Sequence, residues 1–241
     1  MKTELFEQKA DSLLQQFDPN GERKVLLERP FIIELFGTPK SGKSTMKEMI
    51  KHTFKRNNWS VSTPTEGAEV VEWIKRLEPQ YNFQTAEYAL SRIRELAYGP
   101  LHRSFHVGIL DRANMDGVVR MDHYQARGII CEAERQAIEN YYLLSLNEEM
   151  IDLHVCLVAD PEVAIKRELA RAVAKKHGET MNPKTLADLL DAHHRVWNRL
   201  NCAANPAMCW HDSSKETEIE TAMAILEAIL DAFERRTSAL M

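Results

Sequence analysis

The chain has 241 residues, 44% of them apolar, a net charge of −5 and an isoelectric point near 6.0. That length suits one large domain with a real core, and the slight acidity argues against a dedicated nucleic-acid binder, which brings a basic excess. Cys131, Cys156, Cys202 and Cys209 form no C-x-x-C pair, no run reaches the roughly 18 apolar residues of a membrane span, and the start Met1-Lys2-Thr3-Glu4-Leu5 has no apolar signal core; the expectation is a cytoplasmic protein with neither membrane nor nucleic acid as partner.

Residues 1–17 carry Leu5, Phe6, Leu13, Leu14 and Phe17 at mostly helical spacing, and Asp18-Pro19-Asn20-Gly21 is a strong turn. Residues 1–24 are therefore expected to form a leading amphipathic helix and turn, ahead of the main domain at 25–241. Phe31-Ile32-Ile33-Glu34-Leu35-Phe36 reads as a buried strand, and Met46 to Phe54 as a helix. Between them lies Gly37-Thr38-Pro39-Lys40-Ser41-Gly42-Lys43-Ser44-Thr45, with the spacing G-x-x-x-x-G-K-[ST].

The residue types in that stretch suit a phosphate. Gly37 and Gly42 tolerate backbone angles that aim several N–H groups at one point, and the following helix start adds partial positive charge. Lys43 reaches the β- and γ-phosphates, and the Ser44 hydroxyl can ligate Mg²⁺. The whole stretch is the expected ATP site.

Further along, Trp59 to Thr63 reads as a second strand, closed by Pro64-Thr65-Glu66-Gly67. A helix is expected through Val70, Val71, Trp73, Ile74 and Leu77, and another from Thr85 to Ala97. His106 to Leu110 is a third strand ending at Asp111-Arg112. Gly128 interrupts a polar helix that resumes from Glu132 to Leu146. Ile151 to Val158 is a fourth strand, and Asp160-Pro161-Glu162 starts a helix. Lys175 to Glu179 breaks it as a mobile loop. Pro183 opens a helix to about Leu200, Met208 to His211 is a fifth strand, and Glu216 to Arg235 is a closing helix. Adjacent His193 and His194 point about 100° apart on a helix, which disfavours a shared metal. Cys156 lies in an apolar run and is expected in the core; the four tryptophans read as core or rim in preference to a base-stacking platform.

Alternating strands and helices imply an α/β fold: a three-layer sandwich around a mostly parallel five-stranded sheet, with a helical lid at about 166–185. Ligands in such sheets bind beyond the carboxyl ends of the strands, where the phosphate loop, Glu66 and Asp111-Arg112 all fall. Phosphoryl transfer needs positioning, Mg²⁺ and cations on the phosphoryl oxygens. Lys43, Arg112, Arg167 and Arg171 supply cations, Asp111 joins Ser44 at the metal, and Glu66 can orient an acceptor hydroxyl.

Four segments in order resemble the P-loop deoxyribonucleoside kinases, with features shared by thymidylate kinases. They are Phe83-Gln84-Thr85 with Leu90-Ser91-Arg92-Ile93-Arg94, then Asp111-Arg112, then Tyr124 to Tyr142, then Leu186 to Trp197. The resemblance implies a kinase using ATP and Mg²⁺ on a small-molecule phosphoryl acceptor, a nucleoside or a nucleoside monophosphate, and a homodimer through helices. It makes Glu66 the general base, Arg112 a phosphate holder, and Arg167 and Arg171 lid residues over the transferred phosphate. Gln84 would read the base and Arg92 would lie near the reacting end, although the spacing between them is one residue longer than the family's. Asp116-Gly117-Val118-Val119-Arg120 bears a fainter likeness to the D-G-F-P-R of adenylate kinases, and Asp116 is a candidate substrate residue. The carboxylate that contacts the sugar in the family is Arg195 here, which suits an acceptor that already carries a phosphate. A kinase of another small hydroxylated or anionic molecule, and a P-loop ATPase switch governed by a protein partner, stand as alternatives.

Overall fold

A computed structural model describes residues 4, 7–12, 29–100, 104–171 and 181–238, with the side chains of 171 and 237 excepted. Its centre is a sheet of five parallel strands: β1 (Phe31–Gly37), β2 (Val61–Ser62), β3 (Val107–Asp111), β4 (Leu153–Val158) and β5 (Met208–Asp212), in the spatial order β2-β3-β1-β4-β5. The central strand pairs Leu35 with Asp111 on one side and Gly37 with Leu157 on the other. The loops leaving β1 and β3 therefore begin side by side.

Alternation along β1 divides the core into two layers. Phe31, Ile33 and Leu35 face α1 (Lys43–Arg56) and the closing helix α9 (Glu218–Ser238), joined there by Phe54, Trp59, Ile229 and Phe233. Residues 7–12 are helical, and Ala10 is buried in the same layer while Lys9 pairs with Asp231. Ile32 and Phe36 face the other way, toward α3 (Pro79–Tyr98), α4 (Asn114–Ala126) and α8 (Pro183–Arg199). Cys156 is buried in this second layer.

Glu34 sits between Ile32 and Phe36 on that inward face and is fully buried. A carboxylate can lie there because every lone pair finds a donor. It accepts from the backbone N–H groups of Ala113, Met115 and Asp116 at the start of α4, at 2.7, 3.1 and 3.1 Å. His154, its register partner on β4, lies 2.8 Å away through Nδ1 and contacts Glu148 through Nε2. Burial works against a charged His154, yet Glu148 and Glu34 raise its pKa to about 10. This charged knot ties the helix that follows Asp111-Arg112 to the middle of the sheet.

Several expected boundaries move. The helix expected through Val70 to Leu77 is only α2 (Gly67–Val70). Residues 71–78 contain no further regular helix: Val71 is buried, but Trp73 is 72% exposed and Leu77 46%. Pro79 then opens α3 earlier than the expected Thr85, as a proline suits the first turn. Gly128 does end α4, at φ +67°, with its N–H bonded to Gln125 and that of Ile129 to Tyr124. The resumed helix is shorter, α5 (Glu132–Tyr142), followed by one turn, α6 (Ser145–Glu148). The helix starting at Asp160-Pro161 is α7 (Pro161–Arg171). Lys175 to Glu179, and residues 172–180 of the expected lid, lie outside the described residues. Among the described residues, no helix is long and apolar enough to cross a membrane.

Candidate active site

The phosphate loop joins β1 to α1. Gly37 has φ +139°, and a Cβ there would lie 1.8 Å from the Leu157 carbonyl oxygen, so β4 passes too close for any side chain. Gly42, at φ +102°, is the N-cap of α1. The loop is braced from outside: Ala159 donates its N–H to Thr38 Oγ1 at 2.9 Å, and Ser213 Oγ donates to Ser41 O at 2.8 Å. Lys43 Nζ folds back on the loop, donating to Thr38 O at 2.7 Å and Gly37 O at 3.1 Å. Burial, and then the Arg112 charge, bring its pKa down to about 8.

Beside the loop, Ser44 Oγ donates to Asp111 Oδ2 at 3.1 Å. Asp111 Oδ1 is buried without any hydrogen-bond partner. A hydroxyl and a half-satisfied carboxylate at one point are the oxygen donors Mg²⁺ takes when nucleotide phosphates complete its shell. Among the described residues no group of three or more His, Cys, Asp or Glu is placed to hold a metal ion.

Arg112 follows at φ +66°, a left-handed conformation unusual for a residue with a side chain. The strain is held by its N–H bond to Leu35 O at 2.8 Å and by the Glu34 anchor directly after it. The result is a guanidinium turned into the crevice, with Nε 3.2 Å from Glu66 Oε1. That contact is an ion pair without hydrogen-bond alignment, since Nε has no acceptor. Burial opposes the Arg112 charge, but Asp116, Glu66 and Asp111 outweigh it and hold the group more firmly protonated than usual. Burial pushes the Glu66 carboxyl above its usual range, against the pull of Arg112. Orphaned buried polar atoms, rare in folded proteins, concentrate here: Asp111 Oδ1, Arg112 Nε and Asp116 Oδ1.

Two cavities open on either side of this pair. The first, about 400 Å³, is lined by Pro39 to Met46, Asp111, Arg167 and the start of α9. Arg167 from α7 donates to Lys40 O at 3.1 Å and to Ser213 O at 2.7 Å, while Lys40 pairs with Glu168. The second, about 300 Å³, lies between residues 66–82, α4 and α8. Pro39, Glu66 and Arg112 belong to both. A group at the end of the first cavity thus faces a group in the second across Glu66 and Arg112.

The structure brings Lys43, Ser44, Glu66, Asp111, Arg112 and Arg167 to one crevice. Asp116 is buried behind it, pairing with Arg120 at 3.4 Å; burial opposes its charge, but Arg120, Arg112 and Lys43 pull its pKa below the usual range. The Arg171 side chain lies outside the described residues. Three expected substrate residues fall elsewhere. Gln84 is exposed and lines none of these cavities, because α3 presents Tyr81 and Asn82 to the second cavity. Arg92 lies three turns further along α3, paired with Glu95 at 2.6 Å and resting over Tyr88. Arg195 pairs with Asp122 at 2.8 Å, beside Arg199, so its charge serves a helix-to-helix bridge between α8 and α4. It lines a neighbouring hollow with Lys184, Asp188 and Asp191, which adjoins the second cavity through the shared His123, Arg127 and Thr185.

Residues of the second cavity that the sequence did not single out include Arg76, Tyr81, Asn82, Arg120, His123 and Arg127. Asn82 Nδ2 donates to Tyr124 OH at 2.6 Å. Helical spacing was the available signal, since 120, 123, 124 and 127 recur on one face of α4. For Glu34 the signal was a single carboxylate in an otherwise apolar strand.

Phosphate loop, parallel sheet and crevice define a P-loop α/β nucleotide-binding fold. No protein-family model and no curated protein matches the sequence. Solved structures share the fold. Deoxyadenosine kinase from M. mycoides with bound dCTP aligns at TM-score 0.54 and 15% identity, over 84% of this chain and 100% of that one. The same kinase with bound dATP aligns at TM-score 0.53 and 18% identity, over 83% and 100%.

Proposed function

We propose that the protein is an ATP- and Mg²⁺-dependent phosphotransferase acting on a nucleoside or nucleoside monophosphate. The observation that carries this reading is the pair of cavities meeting at Glu66 and Arg112, one of them walled by a phosphate loop. The fold shared with deoxyadenosine kinases supports it.

In this reading ATP lies in the first cavity, its phosphates on the loop N–H groups and the α1 N-terminus. Ser44 and Asp111 would hold Mg²⁺, which would supply positive charge against the phosphoryl oxygens. Lys43 exchanges its loop carbonyls for phosphoryl oxygens. Arg112 lies between donor and acceptor, where charge spreads over the moving phosphoryl group, and its preset orientation avoids reorganisation during transfer. Arg167 closes the phosphate end, and Arg171 on the same helix would assist. Asn82 and Tyr81, in place of Gln84, face the acceptor. Should the acceptor present a hydroxyl, Glu66 is its base, and a raised pKa improves it for that task.

Incubation with γ-labelled ATP, Mg²⁺ and a panel of nucleosides and monophosphates tests the proposal. Label should pass to at least one acceptor. Intact ATP binding with no transfer to any of them would defeat it.

A further inference from the structure

We infer that the second cavity binds a phosphomonoester, so that the acceptor arrives already carrying a phosphate held by Arg127, Arg120 and Arg76. This rests on the phosphotransferase reading and narrows it.

The charge balance of the two cavities differs. In the first, Lys40, Lys43, Arg112 and Arg167 face the carboxylates of Glu66, Asp111, Glu216 and Glu218, four against four. In the second, Arg76, Arg112, Arg120 and Arg127 face only Glu66 and Glu69. Glu66 is committed to Arg112 and Asp116 to Arg120. Arg76 and Arg127 have no ion-pair partner among the described residues; Glu69 is the acid of the cavity left to face them, while Asp188 and Asp191 share an adjoining hollow with Arg127. The cavity proposed for the acceptor is the more cationic one, which a neutral nucleoside would not require.

Arg120, His123, Tyr124 and Arg127 recur at intervals of three and four on α4 and form one stripe along the cavity wall. Arg76 comes from the opposite wall, in the irregular segment before Pro79. Burial, then Arg120 and Arg127, bring the pKa of His123 down to about 4. It is therefore a neutral hydrogen-bonding group at pH 7 and registers the positive potential of its neighbours. Leu77, Tyr81 and Leu189, with the Asn82 amide, offer a mixed surface to the organic part of the ligand. A volume of about 300 Å³ is at the lower end of ligand sites.

The chemistry also fits the state of Glu66. A phosphomonoester is largely dianionic at pH 7, its second pKa lying near 6. Its oxygen attacks the γ-phosphorus, the new P–O bond forms as the bond to the β,γ-bridging oxygen breaks, ADP leaves and the acceptor becomes a diphosphate. No proton has to be removed. Glu66 is then free to hold Arg112 in place, as it does here at 3.2 Å.

The test is calorimetric titration of the full chain, saturated with Mg²⁺ and a non-hydrolysable ATP analogue. The probes are the 5′-monophosphates of the five common bases, the matching nucleosides and ribose 5-phosphate, each also assayed for transfer from ATP. At least one monophosphate should bind tenfold or more tighter than its nucleoside and accept phosphate. Arg127→Gln and Arg76→Gln, both at exposed positions, should each weaken it by about tenfold, the loss of one charge-assisted contact. Nucleoside binding, ATP-analogue binding and circular dichroism should stay unchanged. Preference for ribose 5-phosphate over every nucleotide would support the phosphomonoester and assign it to a non-nucleoside source. Transfer to a neutral nucleoside but to no phosphate ester would overturn the inference while leaving the phosphotransferase standing. Equal monophosphate affinity in wild type and both variants, or no monophosphate binding at all, would overturn it too. Failure of transfer to every compound, with monophosphate binding and its arginine dependence intact, would instead count against the phosphotransferase.

Discussion

The two cavities share Glu66 and Arg112 but are built on different principles. The first is mainly main chain: consecutive residues from one loop, two glycines at positive φ, and braces from Ala159 and Ser213 that bond the loop itself. The second is almost wholly side chains, brought from residues 66–82, α4 and α8. A main-chain cradle recognises what all nucleoside triphosphates share, and a side-chain pocket recognises what distinguishes one small molecule from another. The charge balance differs too: acidic and basic side chains are equal in number in the first cavity, whereas the second carries an excess of arginine.

Substitutions should separate the two. Lys43→Ala is expected to have the largest effect, lowering transfer by at least about 10²–10³-fold, as for loss of a donor aimed at developing charge. ATP binding should weaken, monophosphate binding should not, and circular dichroism should remain native. The lysine is buried and bonded to Gly37 and Thr38, so some loss of thermal stability is expected with it. Unchanged transfer would remove the loop from the chemistry. Glu66→Gln should cost only about tenfold with a phosphate acceptor, by loosening Arg112. With a hydroxyl acceptor a general base would be lost and the cost would rise to roughly 10²–10⁴-fold. Comparing the turnover of both proteins on a matched nucleoside and monophosphate tells these cases apart.

The contrast between main chain and side chain also explains what the sequence disclosed. The phosphate loop is contiguous, so its glycines, lysine and serine could be assigned at once, together with the strand and helix around it. Asp111-Arg112 and Glu66 were legible because parallel sheets direct strand ends to one edge. The second cavity is not contiguous. Its α3 contribution depended on where that helix starts, and an expected start at Thr85 instead of Pro79 left Tyr81 and Asn82 outside the helix. Arg195 was read as facing a ligand because its helix edge permits it. Only the position of Asp122, buried on α4, shows what the charge meets. Glu34 could be seen as a buried carboxylate, but its partners, the N–H groups of α4, lie some 80 residues away.

A smaller effect is expected from pH. The pKa of Lys43 near 8 in the ligand-free protein should rise when phosphates surround it. Below pH 8 the lysine is already protonated and ATP affinity should not depend on it. Above pH 8 binding must take up a proton, so affinity should fall by up to tenfold per pH unit. Calorimetry in buffers of different ionisation enthalpy should detect that uptake, and none at pH 9 would contradict the assignment. The smallest effect on ligands is expected from Arg195→Glu, within about 0.5 kcal/mol for both classes, as for a substitution outside the site. Denaturant unfolding should show lowered stability, because the new carboxylate meets buried Asp122. A selective loss of monophosphate binding would return Arg195 to the pocket.

The most direct test of the two-cavity account is whether both ligands bind at once. The wild-type chain should be titrated with a monophosphate, first alone and then with its ATP site filled by the non-hydrolysable analogue and Mg²⁺. The account predicts one molecule of each ligand per chain in a ternary complex, with monophosphate affinity retained or improved when the analogue is present. Mutual displacement, with each ligand abolishing binding of the other, would mean a single shared site and would contradict it.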